Sequence, residues 1–136
     1  MSLKSRIAKA ATATAVAGAT LVTLAGPASA NPNAPTIGYG NVTSGAAVWC
    51  VQHNFNYFIN NWTNHAFPNI AEDSQWGPET NAAIVWFQKY KELQPDGLVG
   101  PQTGERVLIL GDPYYTGNDT YYPQNSYCWK YIPSTD

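Results

Sequence analysis

The amino-acid sequence predicts an all-α fold: a small three-helix bundle with turn-helix repeats, plus an irregular aromatic C-terminal extension. Three observations predict it. After Ser44, apolar residues recur at three- and four-residue steps, the spacing of one helix face. Two octapeptides, DSQWGPET from Asp73 and DGLVGPQT from Asp96, carry Asp, Gly, Pro and Thr at the same four places. From Gly111 onward the chain has aromatics and turn formers but no helical period.

Residues 1–30 read as a signal peptide. Lys4, Arg6 and Lys9 give a positive start, Ala10 to Leu24 is small and apolar, and Ala28-Ser29-Ala30 has the small-x-small form of a cleavage site. A membrane anchor fits less well, because the apolar stretch is short and is broken at Gly26-Pro27. The expected product is secreted, extracellular or cell-wall associated, with no membrane partner after signal cleavage. Residues 31–43, with Pro32, Pro35 and Gly38 and no period, read as a flexible leader.

The domain is expected over residues 44–110. Val48, Val51, Phe55, Ile59 and Trp62 make one apolar face of a first helix, with Ser44 or Thr43 as its cap. From Asn60 to Glu72 the composition turns to that of a loop. Gly77-Pro78 and Gly100-Pro101 are helix starts, since proline at the first helical position gives up only an amide that would be unpaired and its φ already suits the helix. Ala83, Ile84, Phe87 and Tyr90 form the second apolar stripe. Val107, Leu108 and Leu110 form a third, which stops at Gly111-Asp112-Pro113. Asp96-Gly97 is a turn in which glycine takes positive φ. Residues 111–136 are the aromatic extension, an irregular or short-stranded segment pinned through Cys128.

Residues 31–136 hold four basic side chains (Lys89, Lys91, Arg106, Lys130) and all nine acids, a net charge of −5. So few cations leave little with which to displace counterions from a polyanion, so no nucleic acid is expected as a partner. All 18 Phe, Trp and Tyr residues lie in this part. In an oxidising compartment the even pair Cys50 and Cys128 reads as a disulfide.

VQHNF on the first helix, WGPETNAAIVWFQ on the second and DGLVGPQTGERVL leading into the third resemble the bacterial peptidoglycan-binding domain. The likeness runs from Ala46 to Leu110. Val51-Gln52 stands for the family's Leu-Gln, Asp73 with Gly77-Pro78-Glu79-Thr80 and Phe87-Gln88 for its second element, and Asp96-Gly97 with Gly100-Pro101 and Thr103 for its third. The resemblance implies a non-catalytic three-helix module of the kind appended to cell-wall hydrolases, with these motif residues as scaffold. The sequence departs from the pattern in four places. Ser74 replaces the glycine of the first turn, so that turn is open to a different type. Trp76 stands where the second copy has Val99, a position expected to point inward. The 60–72 loop is long, and the Cys-tied tail lies outside the pattern.

The residue types agree with a binder. Two histidines, His53 and His65, lack the spacing and company of a metal site, so no metal or cofactor is expected. A cysteine nucleophile needs a free thiol beside a histidine. Glu72, Asp73 and Glu79 offer paired carboxyls of the glycosidase kind, yet acids in a turn and a first helical turn have local reasons to be there.

Trp49, His53 and Tyr57 fall opposite Val51 and Phe55 on the first helix. They make either a stripe for stacking on sugar rings or, as preferred, a surface covered by the tail that Cys50 tethers. Trp76, Phe87 and Tyr90 read as core. Trp62 and Trp86, at the edges of their apolar faces, are the ligand-binding candidates. The function expected is a secreted, non-catalytic module that binds bacterial cell-wall peptidoglycan. The alternatives are a protein-interaction or inhibitor module, with a protein partner on the C-terminal extension, and a small cell-wall hydrolase.

Overall fold

The computed structural model describes residues 31–117 and 127–135. The expected signal peptide, together with Tyr121 and Tyr122 of the tail, lies outside the described residues. Four helices form: α1 (Ala46–Trp62), α2 (Pro78–Tyr90), α3 (Pro101–Leu110) and the single turn α4 (Pro113–Thr116), followed by a 3-10 helix at Tyr127–Lys130. No strand occurs among the described residues, only isolated bridges, so the fold is all-α as expected. No helix among them is long and apolar enough to cross a membrane.

Helix α1 is the centre, packed against both α2 and α3. Val48, Val51, Phe55 and Ile59 are buried in its apolar face, and Phe58 packs edge-on to Phe87 of α2. Each such side chain contributes about 1.5–3 kcal/mol on leaving water. The burial goes further round the helix than an amphipathic stripe requires, since Gln52, Asn54 and Asn56 are buried too. Asn54 donates to the Cys50 carbonyl and accepts from the Asp112 amide, tying α1 to the start of α4. Asn56 pairs with both the N–H and the C=O of Ile70, closing the 60–72 loop over the helix as a strand neighbour would.

Both proline helix starts are as expected, with Gly77 and Gly100 as extended N-caps. Helix α1 is not capped by Ser44 or Thr43. Its N-cap is Gly45 at φ 93°, with no side-chain cap bond, because both candidate residues are engaged in pairing: the Thr43 carbonyl accepts from the Trp76 amide and Ser44 bridges to Gln75.

Residues 31–43 are not a free leader: the stretch is mostly exposed but is anchored through Ile37 in the core and Val42 against it. Ile37 is fully buried and exchanges two backbone hydrogen bonds with Val99, at 3.1 and 2.8 Å. At the first repeat the Thr43 carbonyl accepts from the Trp76 amide and the Gly45 amide donates to the Ser74 carbonyl, so one short segment pairs with both repeats. Trp76 and Val99 both point inward, as their equivalence suggested. One residue expected in the core is not: Tyr90 ends α2 half-exposed, because the helix runs past the surface that its neighbours cover. Trp62, expected at the edge of its apolar face, ends α1 with 61% of its surface exposed.

Among its described residues the extension forms two short helical turns, at Pro113–Thr116 and Tyr127–Lys130, and is otherwise irregular, as expected. Cys50 and Cys128 form a disulfide, with Cα atoms 5.6 Å apart and both side chains fully buried. Trp129 donates to the Thr116 carbonyl, which joins the 3-10 helix to α4. Beyond it, Ile132 is buried and the chain crosses α3 at Gly104 so closely that a side-chain carbon there would lie 1.9 Å from the Pro133 oxygen. Only glycine admits this approach.

Candidate functional site

The scaffold residues assemble into two copies of one device. Gln52, fully buried on α1, donates through Nε2 toward Asp73 Oδ1 (2.9 Å), the Gln75 carbonyl (2.9 Å) and Thr80 Oγ1 (3.1 Å), and accepts from the Ser74 amide at 2.9 Å. Gln88, fully buried on α2, makes the corresponding bonds to Asp96, the Leu98 carbonyl, Thr103 and the Gly97 amide, at 3.0, 2.9, 3.1 and 2.9 Å. Two amide hydrogens are shared among three acceptors in each cage, and the lone N–H of the turn fixes which way the amide faces. In each copy the aspartate also accepts from the amide two residues on, which makes the turn itself. The hydrogen bonds from the Gln75 amide and from Gln52 hold the Asp73 carboxyl below its ordinary value of 3.8, against a smaller opposing effect of burial.

The departure at Ser74 does not change the turn. Ser74 sits at φ 62° where Gly97 sits at φ 72°, so a residue with a side chain takes the left-handed conformation that favours glycine. Such a conformation costs roughly 1–2 kcal/mol.

Each cage underlies a groove, and the two grooves are lined by corresponding residues. Asp73, Gly77, Pro78 and Thr80 line the first, of about 360 Å³; Asp96, Gly100, Pro101 and Thr103 line the second, of about 480 Å³. They differ where Gln75 and Glu79 give way to Leu98 and Gln102, and where Thr36 of the leader and Thr135 of the tail add walls to the second.

On the other side of the first turn lies an aromatic cleft of about 560 Å³, formed by Gly45, Ala46, Trp49, Ser74, Tyr114, Tyr115 and Tyr127. Its floor is layered. Trp49 stacks on His53 with ring centroids 4.7 Å apart, and Tyr115 stands edge-on to both, at 5.2 and 4.8 Å. His53 is fixed in turn by Glu72 at Nδ1 (2.9 Å) and Asp112 at Nε2 (3.0 Å). These two carboxylates lie on opposite sides of the ring and do not converge, and no group of three or more metal-ligating side chains able to hold an ion occurs among the described residues. Tyr127 from the tail stands edge-on to Trp49 at 6.2 Å. Burial pushes its phenol above the ordinary value of 10, helped by a hydrogen bond with Tyr131 and by that residue's charge.

The tail therefore covers the Trp49–His53 stripe, as preferred from the sequence, while the covering rings frame an opening. The two tryptophans expected at the site are elsewhere. Trp86 is half-buried among Phe55, Phe67 and Tyr90, stacked on Tyr90 at 5.0 Å. Neither Trp62 nor Trp86 lines the cleft or the grooves. The approach of Tyr127 follows the signal read from the sequence, since Cys50 is adjacent to Trp49 and is bonded to Cys128, while Tyr114 and Tyr115 carried no such signal.

Searches of curated proteins and of solved structures returned no match. A family model does match, over residues 52–106, the stretch that opens at the first cage glutamine and runs through both turns. The matched family is described as "Putative peptidoglycan binding domain".

Proposed function

We propose that this protein is a secreted, non-catalytic module that holds bacterial cell-wall peptidoglycan. The observation that carries the reading is the duplication: one cage, built twice within the family-matched stretch, supports two grooves lined by corresponding residues. A repeated surface suits a polymer of repeating glycan-peptide units, and grooves of a few hundred Å³ edged with hydroxyl, amide and carboxylate groups suit polar ligands. Of the three acids offered by a hydrolase reading, Glu72 and Asp73 are engaged, while Glu79 stands exposed in the lining of the first groove. Asp73 is an acceptor in its turn and is held ionised, which makes it a poor general acid. Glu72 is bonded to His53 and Asn56. Cys50 is in a disulfide. Trp62, with its ring largely in solvent, and the Trp86–Tyr90 stack are secondary contact surfaces.

Incubation of the purified protein with purified sacculi tests this. Expected is protein in the pellet, with no release of reducing ends or free amines into the supernatant. Solubilised fragments would make it an enzyme, and a protein that stays in solution without releasing fragments would point to a protein partner.

A further inference from the structure

We infer that the aromatic cleft, which lies largely outside the family-matched stretch, is a saccharide-binding site for the sugar rings of the glycan strand, with Ser74 as its polar contact. The inference rests on the peptidoglycan reading for the identity of the natural polymer, but the cleft has its own evidence. Of its lining residues only Ser74 falls within 52–106; Gly45, Ala46 and Trp49 precede that stretch, and Tyr114, Tyr115 and Tyr127 follow it.

The chemistry of the lining selects the ligand. Among the described residues it contains no charged side chain, and the nearby acids Glu72 and Asp112 are turned onto His53. Its described lining is mainly aromatic and hydroxylated, with Tyr114 and Tyr127 43% and 37% exposed and Trp49 and Tyr115 partly buried against the core. Flat apolar rings beside hydroxyl donors match a pyranose, whose axial C–H faces are apolar and whose edge is hydroxylated. A volume of about 560 Å³ is within the range of small-ligand sites.

Ser74 is the second line of evidence. The two turns share one geometry, but the first places a serine in the left-handed position at φ 62° where the second has glycine. Backbone strain kept at one repeat only calls for a local reason. In the second repeat Gly97 is closed in, with Asn81 Oδ1 2.7 Å from where a side-chain carbon would be. In the first repeat the same position opens into the aromatic cleft and supplies a hydroxyl to it. The cleft and the first groove lie on opposite sides of one turn, since Asp73 and Gln75 line the groove while Ser74 between them lines the cleft. A sugar in the cleft would leave its substituent directed across this turn.

Calorimetric titration of the purified protein with the β-1,4-linked tetramer of N-acetylglucosamine tests the inference. Saturable binding is expected. Ser74→Gly should weaken it about fivefold, as for one lost hydrogen bond, without loss of thermal stability, so that misfolding cannot account for the effect. Tyr127→Ala should weaken it tenfold or more, while Tyr39→Ala, at a remote exposed residue, should leave it unchanged. The inference is overturned by no saturable binding, by unchanged affinity in Ser74→Gly or Tyr127→Ala, or by uptake of decaproline in place of the sugar. Pelleting with sacculi separates the two readings. A protein that pellets but ignores the tetramer keeps the peptidoglycan function and loses the cleft; one that binds the tetramer but does not pellet keeps the cleft and loses the peptidoglycan function.

Discussion

Gln52 and Gln88, on different helices, hold their turns by the same four hydrogen bonds. Both side chains are fully buried, so each amide replaces water for a turn that would otherwise bury unpaired groups. Replacing either by leucine, similar in size but without polar atoms, should cost about 3 kcal/mol, because a backbone amide and three acceptors lose a partner. Urea unfolding of Gln52→Leu and Gln88→Leu measures this. Equal losses are expected from equivalent cages.

The turns should respond in opposite directions to exchange of their central residues. Ser74→Gly removes left-handed strain and should stabilise by about 0.5–1 kcal/mol after the extra chain entropy of glycine is counted. Gly97→Val puts a β-branched residue at φ 72° and drives it into Asn81. It should destabilise by about 2–4 kcal/mol. Thermal midpoints of the two variants check both signs.

These turns also show how far the sequence was legible. Gly-Pro signals at 77–78 and 100–101 are local, and both helices start there. Ser74 hides its left-handed geometry, because that conformation is imposed by Gln52 and Asp73, distant or polar partners that leave no trace in residue type at position 74. Ile37 is one apolar residue among prolines and glycines, and its burial depends on pairing with Val99, far along the chain. Trp62 continues the helical period beyond the point where any neighbour remains to cover it. Periodicity reports a face and not the extent of the surface that meets it. The cleft was half legible: the Trp49–His53 stripe and the disulfide were read, but not that the covering tyrosines would leave a gap.

Asp73 links stability to pH. Its native carboxyl is held below the ordinary 3.8 by the Gln75 amide and Gln52. A lowered native value favours the folded state at any pH above the ordinary one, and that contribution is lost as pH falls through the native value. Thermal midpoints should therefore drop on acidification below about pH 4. Asp73→Asn should be less stable at neutral pH and show a shallower acid limb.

The disulfide closes a loop of 78 residues, for which loss of the cross-link costs about 4 kcal/mol in the chain-entropy estimate. Cys50→Ser with Cys128→Ser should show a stability loss of that order. The loss should be accompanied by faster amide exchange around Trp129 and Ile132, which the bond holds against α1 and α3.

Trp62 and Trp86 should separate by burial. Trp62→Ala, at 61% exposure, should change stability by less than about 1 kcal/mol. Trp86→Ala loses contacts to Phe55, Phe67 and Tyr90 and should cost about 2–3 kcal/mol. Sedimentation with sacculi on the same variants shows whether either ring also touches the wall.

The most direct test of peptidoglycan binding is the sedimentation isotherm of the purified protein with sacculi at low and at 0.5 M salt. With a net charge of −5 over residues 31–136 and an uncharged aromatic cleft, attraction to the polymer is not ionic. Expected is saturable pelleting whose affinity changes by less than about twofold between the two salt concentrations. Absence of saturation, or pelleting abolished by salt, would contradict a shape- and hydroxyl-based grip on the cell wall.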